Sequence, residues 1–163
     1  MADLIRQYLD WLRIRECSPR TIRLRQQVLY RMDAELPEGL DRATAEEIKA
    51  WIYRDHWSRS TRATYFGAVR GLFVWATNPA DPKLDFDPTA LLPRPKLPTY
   101  LPKPVTNDEL ARLLTTVHDP VLTWSLLAAY EGLRCIEVAG LDREHITADV
   151  TLVVRGKGGE PGM

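Results

Sequence analysis

The chain opens on a helical rhythm. Leu4, Ile5, Tyr8, Leu9, Trp11 and Leu12 recur at three- and four-residue spacing, which predicts an amphipathic helix from Asp3 to Arg15. Ser18-Pro19 then combines an N-cap hydroxyl with a proline in the first turn, and a second helix is expected from Pro19 to about Ala34. Ile22, Val28, Leu29 and Met32 would face its core, while Arg20, Arg23 and Gln27 share the other face. Pro37-Glu38-Gly39 stops it. Thr44-Ala45-Glu46-Glu47 is a capping-box pattern opening a third helix with Ile48, Trp51 and Ile52 inward. A fourth is expected from a Ser60 cap to about Ala76. Ala63, Phe66, Val69, Phe73 and Ala76 mark its apolar face, and Ser60, Thr64, Gly67, Ala68 and Gly71 a small, approachable one.

The pattern then breaks. Eight of the twelve prolines fall between Pro79 and Pro104. Proline has no N–H to donate and restricts the residue before it, so the stretch reads as an extended, semi-stiff linker. Three segments follow: a helical domain over 1–78, the linker over 79–105, and a second folded part over 106–163. In that last part Thr106-Asn107-Asp108-Glu109 repeats the capping box ahead of Leu110, Leu113 and Leu114. Pro120 opens an apolar helix ending at Gly132, and a short helical turn carries Ile136, Val138 and Leu141. His145-Ile146 and Val150 to Val154 read as two short strands around a turn at Thr147-Ala148-Asp149, and Gly156-Lys157-Gly158-Gly159 as a tight glycine turn. Val150, Leu152 and Val153 are expected on an open strand edge that invites self-association. The fold class is mainly α, with a β-hairpin near the end.

Composition adds little until it is divided. Hydrophobic residues at 45% and charged residues at 27% are ordinary for a soluble globular chain. No stretch has the apolar length of a membrane span, and no secretory leader is visible. Cys17 and Cys135 lack metal-ligand spacing, and a reducing cytoplasm is the simplest compartment. Net charge is zero, which argues against a uniformly basic nucleic-acid binder. Residues 1–78, however, carry 13 Lys+Arg against 10 Asp+Glu, residues 79–105 carry 4 against 3, and residues 106–163 carry 5 against 9. Six arginines and one acid lie within 13–31, and local patches rather than totals set phosphate attraction.

The most informative stretch is Tyr130-Glu131-Gly132-Leu133-Arg134-Cys135-Ile136-Glu137-Val138-Ala139-Gly140-Leu141. It places one arginine at a helix break, where its planar fork suits a phosphate, with Glu137 three residues on. The stretch resembles the first catalytic-arginine box of the tyrosine recombinases, the phage-integrase family. Ser18-Pro19-Arg20-Thr21-Ile22 is similar to that family's second-helix start. Ser60-Thr61, Tyr65 and Arg70-Gly71-Leu72-Phe73-Val74-Trp75-Ala76 resemble its fourth helix, Thr106 to Leu110 the start of its catalytic domain, and Gly156-Lys157-Gly158 its hairpin lysine.

The resemblance implies a four-helix SAM-like core-binding domain, a linker, and the first helices and β-hairpin of an α+β catalytic domain. The two parts would close around duplex DNA, with no cofactor, metal, membrane or small-molecule substrate, and with other recombinase protomers as further partners. It implies phosphoryl transfer in which a tyrosine attacks a DNA phosphodiester and releases a 5′ hydroxyl. Arg134 would stabilise charge on the phosphate oxygens, Glu137 would support Arg134, and Lys157 would protonate the leaving oxygen. Arg20, Arg23 and Gln27 on the second helix and Arg59, Ser60 and Thr64 on the fourth would face the major groove, and Lys96 and Lys103 would touch the backbone. The plainer readings are a surface ion-pair arginine, a surface acid, a solvated turn lysine and solvated helix faces.

The sequence also departs from the family. A His-x-x-Arg box, a later His or Trp and the nucleophilic tyrosine are expected after the lysine hairpin. His56, His118 and His145 and all six tyrosines (Tyr8, Tyr30, Tyr53, Tyr65, Tyr100 and Tyr130) precede it instead. Tyr130 reads as core. The expectation is a catalytically incomplete chain, cut near a third strand, that binds DNA but does not cleave it alone and carries no additional arm-binding domain. A non-enzymatic DNA-binding or regulatory remnant and a helical protein-interaction module are the rival readings.

Overall fold

A computed structural model of the protein describes residues 2–97, 99, 101–145, 154–155 and 161–162. The chain is mainly α and divides into two compact units, residues 1–100 and 101–163. The first unit holds α1 (Ala2–Ile14), α2 (Pro19–Glu35), α3 (Ala45–Ile52) and α4 (Arg59–Ala76). α2, α3 and α4 each begin where a side chain satisfies a free N–H group. The Ser18 hydroxyl accepts from the Thr21 amide at 3.2 Å, with Pro19 in the first turn. At α3 the box is reciprocal: the Thr44 amide donates to Glu47 at 2.8 Å and the Glu47 amide to the Thr44 hydroxyl at 3.2 Å. At α4 the cap is Ser58, not the expected Ser60. Ser58 accepts from the Thr61 amide at 3.1 Å, with the same Ser-x-x-Thr spacing as at α2, so the helix starts two residues earlier.

The core is the apolar stripes of these helices turned on one another. Ile5, Tyr8, Leu9 and Leu12 of α1, Ile22, Val28, Leu29 and Met32 of α2, and Ile48, Trp51 and Ile52 of α3 are all buried. From α4 come Phe66, Ala68, Val69, Leu72, Phe73 and Ala76. Ala68 therefore belongs to the core rather than to an open small-residue face. Leu40 joins them, held by its amide, which donates to Asp33 at 2.9 Å after the left-handed turn at Gly39 (φ +78°).

The proline-rich stretch is turned rather than extended as far as Pro93. Asn78-Pro79-Ala80-Asp81 and Asp87-Pro88-Thr89-Ala90 each close a four-residue turn, at 3.0 and 3.2 Å. In both, proline occupies the second position and the preceding Asx oxygen accepts an amide two residues on. The segment lies on the helices. The Lys83 and Leu84 amides return to the Ala76 carbonyl, Arg70 donates to the Thr89 carbonyl at 3.1 Å, and Tyr53 donates to the Pro93 carbonyl at 2.9 Å. Leu84 and Leu92 pack on the core.

The second unit holds α5 (Asn107–Thr116), α6 (Val121–Tyr130), α7 (Cys135–Ala139), a 3-10 turn at Arg143–His145 and a two-residue antiparallel ladder. In the ladder β1 (Val154–Arg155) faces β2 (Pro161–Gly162), Val154 opposite Gly162. The Thr106–Glu109 capping box forms at 2.9 and 3.3 Å. The hairpin expected around residues 147–149 is not shown. His145 lies in the 3-10 turn, its ring nitrogen accepting from the Asp142 amide at 2.8 Å, because a local cap satisfies that amide without a strand partner. Ile146, the 147–149 turn, residues 150–153 and the glycine turn at 156–159 lie outside the described residues. Among the described residues of this unit only Val138 is buried. Tyr130, expected in a core, is 70% exposed, since nothing described in its own unit covers that end of α6.

Candidate catalytic arginine and nucleic-acid interface

The junction after α6 is built from three residues. Gly132 adopts φ +66°, the left-handed conformation that ends helices and that a side chain resists. The Leu133 amide still reaches back to the Leu127 carbonyl at 3.5 Å. Arg134 is then the extended cap residue of α7 (φ −75°, ψ 152°). Glu137, one turn in, accepts twice from it: from the Arg134 amide at 2.7 Å and from its guanidinium at 2.8 Å. The carboxylate is only 10% exposed, whereas the Arg134 side chain is 75% exposed. The two hydrogen bonds, backbone first, hold the Glu137 pKa below the usual carboxylate value. The acid is thus a fixed anchor and the guanidinium a positioned, outward-facing cation. Chemically, the pair can present a bidentate donor to an oxyanion. Lys157 lies outside the described residues, and Lys103 is exposed ahead of α5.

In the helical unit, Arg20, Arg23 and Gln27 are exposed and line one open groove of about 570 Å³ with Pro19 and Leu24. Their spacing puts them on one stripe of α2. On α4, Arg59 and Thr64 are exposed and Ser60 is half-buried. Lys96 is exposed in the segment beyond Pro95.

The helical unit also holds a cluster absent from the sequence-based site. Glu35, the last residue of α2, accepts from Arg31 Nε at 2.8 Å, from Trp51 Nε1 at 3.0 Å and from the Arg54 guanidinium. Trp57 stands edge-on to Trp51 and to Tyr65, with centroids 4.6 and 4.8 Å apart. The Arg31 and Arg54 guanidinium carbons lie 5.6 and 5.4 Å from the Trp57 ring centre, in cation–π range. The hydrogen bond from Arg31, with those from Arg54 and Trp51, lowers the Glu35 pKa to about 2 against partial desolvation. A carboxylate depressed in the folded state stabilises above its unfolded pKa and loses that contribution as pH falls through the folded one. Stability is therefore expected to decline from about pH 5 towards pH 2, damped because the Glu35 side chain is 32% exposed. Urea midpoints measured across that window should show this decline, and Glu35→Gln should flatten it.

No protein-family model matches the chain. Tyrosine recombinase XerD of Vibrio cholerae is 31% identical over 140 residues, covering 80% of this chain and 43% of the relative. Tyrosine recombinase XerC of Escherichia coli O139:H28 is 29% identical over 182 residues, covering 97% of this chain and 58% of the relative. The solved integrase from mycobacterium phage Brujita superposes with a TM-score of 0.58 at 31% identity, over 98% of this chain and 56% of that one. The chain belongs to the tyrosine recombinase family. It spans about half the length of the relatives it matches. For a tyrosine recombinase it carries an informative feature that sequence reading passed over: Arg31 continues the Arg23–Gln27 stripe by one further turn, and Glu35 follows at i+4. That spacing was the available signal, but nothing local marks Trp51, Arg54 and Trp57 as its partners, because they arrive from another helix and a loop. No helix among the described residues is long and apolar enough to cross a membrane.

Proposed function

We propose that this chain is a DNA-engaging portion of a cytoplasmic site-specific tyrosine recombinase. Residues 1–78 form its core-binding domain, residues 79–105 connect it, and residues 106–163 begin its catalytic domain. The observation that carries the reading is the exposed Arg134 guanidinium, fixed at a helix junction by an almost buried Glu137. Aimed at a scissile phosphate, that guanidinium stabilises the charge that develops on the non-bridging oxygens, and its orientation is fixed before the reaction starts. Glu137 acts through Arg134 as a positioning residue. Lys157 is assigned the proton for the 5′ leaving oxygen, on the motif alone.

Duplex DNA is bound by the α2 stripe of Arg20, Arg23 and Gln27 and the first turns of α4 at Arg59, Ser60 and Thr64, with Lys96 and Lys103 on the backbone. This 163-residue polypeptide carries no tyrosine beyond Tyr130, and its one His-x-x-Arg sequence, His56 to Arg59, lies at the start of α4 in the helical unit and not after Arg134, so it binds without cleaving. The test is direct. Purified chain should bind duplex DNA weakly, with affinity falling steeply between about 50 and 200 mM salt. Arg23→Ala should weaken that binding about three- to tenfold, the loss of one charged groove contact. No covalent adduct should form on a nicked suicide substrate. Absence of any binding at low salt would favour a protein-interaction module, and an adduct would refute catalytic incompleteness.

A further inference from the structure

The α2 stripe does not end at Gln27. Residues 20, 23, 27 and 31 fall on one face of a helix that runs through Glu35, so Arg31 is the next outward residue after Gln27. It differs from Arg20 and Arg23 in being held. Glu35 accepts its Nε at 2.8 Å, and Trp57 lies beneath its guanidinium. Arg54 shares both the Glu35 carboxylate and the Trp57 ring. Two guanidinium groups thus converge on one carboxylate, leaving a net positive charge at the place where the end of α2 meets the start of α4. Arg31 keeps 48% of its side chain exposed and Arg54 33%. Trp57 immediately precedes the α4 cap, and Arg59, Ser60 and Thr64 follow on the same helix.

A salt bridge on a solvated helix face needs none of this support. Long side chains lose rotamer freedom when they bind, and an arginine already fixed by a carboxylate and an aromatic ring loses less. We propose that Arg31, with Arg54 behind it, is a preorganised phosphate clamp that joins the α2 and α4 contact groups into one continuous track for the DNA backbone. The inference rests on the DNA-binding reading above. It assigns a site that holds phosphate whatever the base sequence.

Binding of the full 163-residue chain to two duplexes of unrelated sequence, each titrated with salt, tests it. Arg31→Gln should weaken binding about three- to tenfold on both duplexes alike. It should also lower the slope of log affinity against log salt by about one, the mark of one lost phosphate contact. A purely structural arginine would leave that slope unchanged in a variant that still folds. The unaltered protein supplies a second readout: the Nε–Hε resonance of Arg31 should shift on adding either duplex. A folded Arg31→Gln chain with unaltered affinity and slope overturns the clamp. So does an Arg31 resonance indifferent to saturating DNA, whether or not the variant folds. If the unaltered chain binds neither duplex at low salt, the DNA-binding reading falls and takes the clamp with it. Binding that persists with Arg31 silent removes the clamp alone.

Discussion

Trp51→Ala is expected to be the most damaging single change in the helical unit. The indole is 2% exposed, meets Trp57 edge-on at 4.6 Å and Tyr65 at 5.6 Å, and donates to Glu35 at 3.0 Å. Removing a buried aromatic costs about 3–5 kcal/mol, through lost transfer energy and the cavity left behind. Loss of the hydrogen bond to a charged acceptor adds about 1 kcal/mol or more. Against a total of about 5–15 kcal/mol for an ordinary domain, that is a large share. At about 4–8 °C per kcal/mol for a unit of this size, the melting midpoint should fall by about 12 °C or more. Trp51→Phe keeps most of the ring and loses the donor, so it should cost about 1–2 kcal/mol. Thermal melts of the two variants separate packing from hydrogen bonding. A Trp51→Ala midpoint within about two degrees of the parent would contradict the burial that organises this cluster.

The same residue shows what the sequence could and could not convey. Its place in the core was legible, since Ile48, Trp51 and Ile52 follow the helical period and the Thr44–Glu47 box fixes where α3 starts. The caps at Ser18, Thr44 and Thr106 were legible for a similar reason: each depends on a donor and an acceptor three residues apart. At Ser58 and Ser60 two hydroxyls competed within one turn, and only the Thr at position 61 distinguishes them.

Prolines misled more seriously. Read singly, each forbids a ladder hydrogen bond and favours an extended neighbour. Read with the Asn or Asp before it, Pro79 and Pro88 specify turns, and these wind the segment onto α4. The pairing of Arg134 with Glu137 lay within one helical turn and could be anticipated. The convergence of Arg31, Trp51, Arg54 and Trp57 on Glu35 and its neighbours is a tertiary fact, which no window of local sequence contains.

Gly71→Ala and Gly67→Ala should move stability in opposite directions, although both replace a glycine within α4. At Gly67 an added methyl meets nothing within 4 Å. The substitution only restricts the unfolded chain and improves helix propensity, and it should stabilise by about 0.5–1 kcal/mol. At Gly71 the methyl carbon would lie 2.5 Å from the Tyr8 hydroxyl oxygen and 3.0 Å from the Arg25 guanidinium. Arg25 is a flexible chain end and can withdraw. Tyr8 cannot, because its ring is fully buried between Trp11 and Trp75, at centroid distances of 5.9 and 5.4 Å, and its hydroxyl accepts from Arg25. Relief therefore requires α1 to shift against α4, or the hydroxyl to give up its partner inside the core. Overpacking of this kind costs about 1–3 kcal/mol, which outweighs the propensity gain of about 1 kcal/mol. Chemical denaturation of the two variants should place Gly67→Ala above the parent midpoint and Gly71→Ala below it. A stabilised Gly71→Ala would mean that α1 and α4 stand further apart than the Tyr8 contact requires, and that the small residues of α4 are free for a ligand instead of holding the three-helix junction closed.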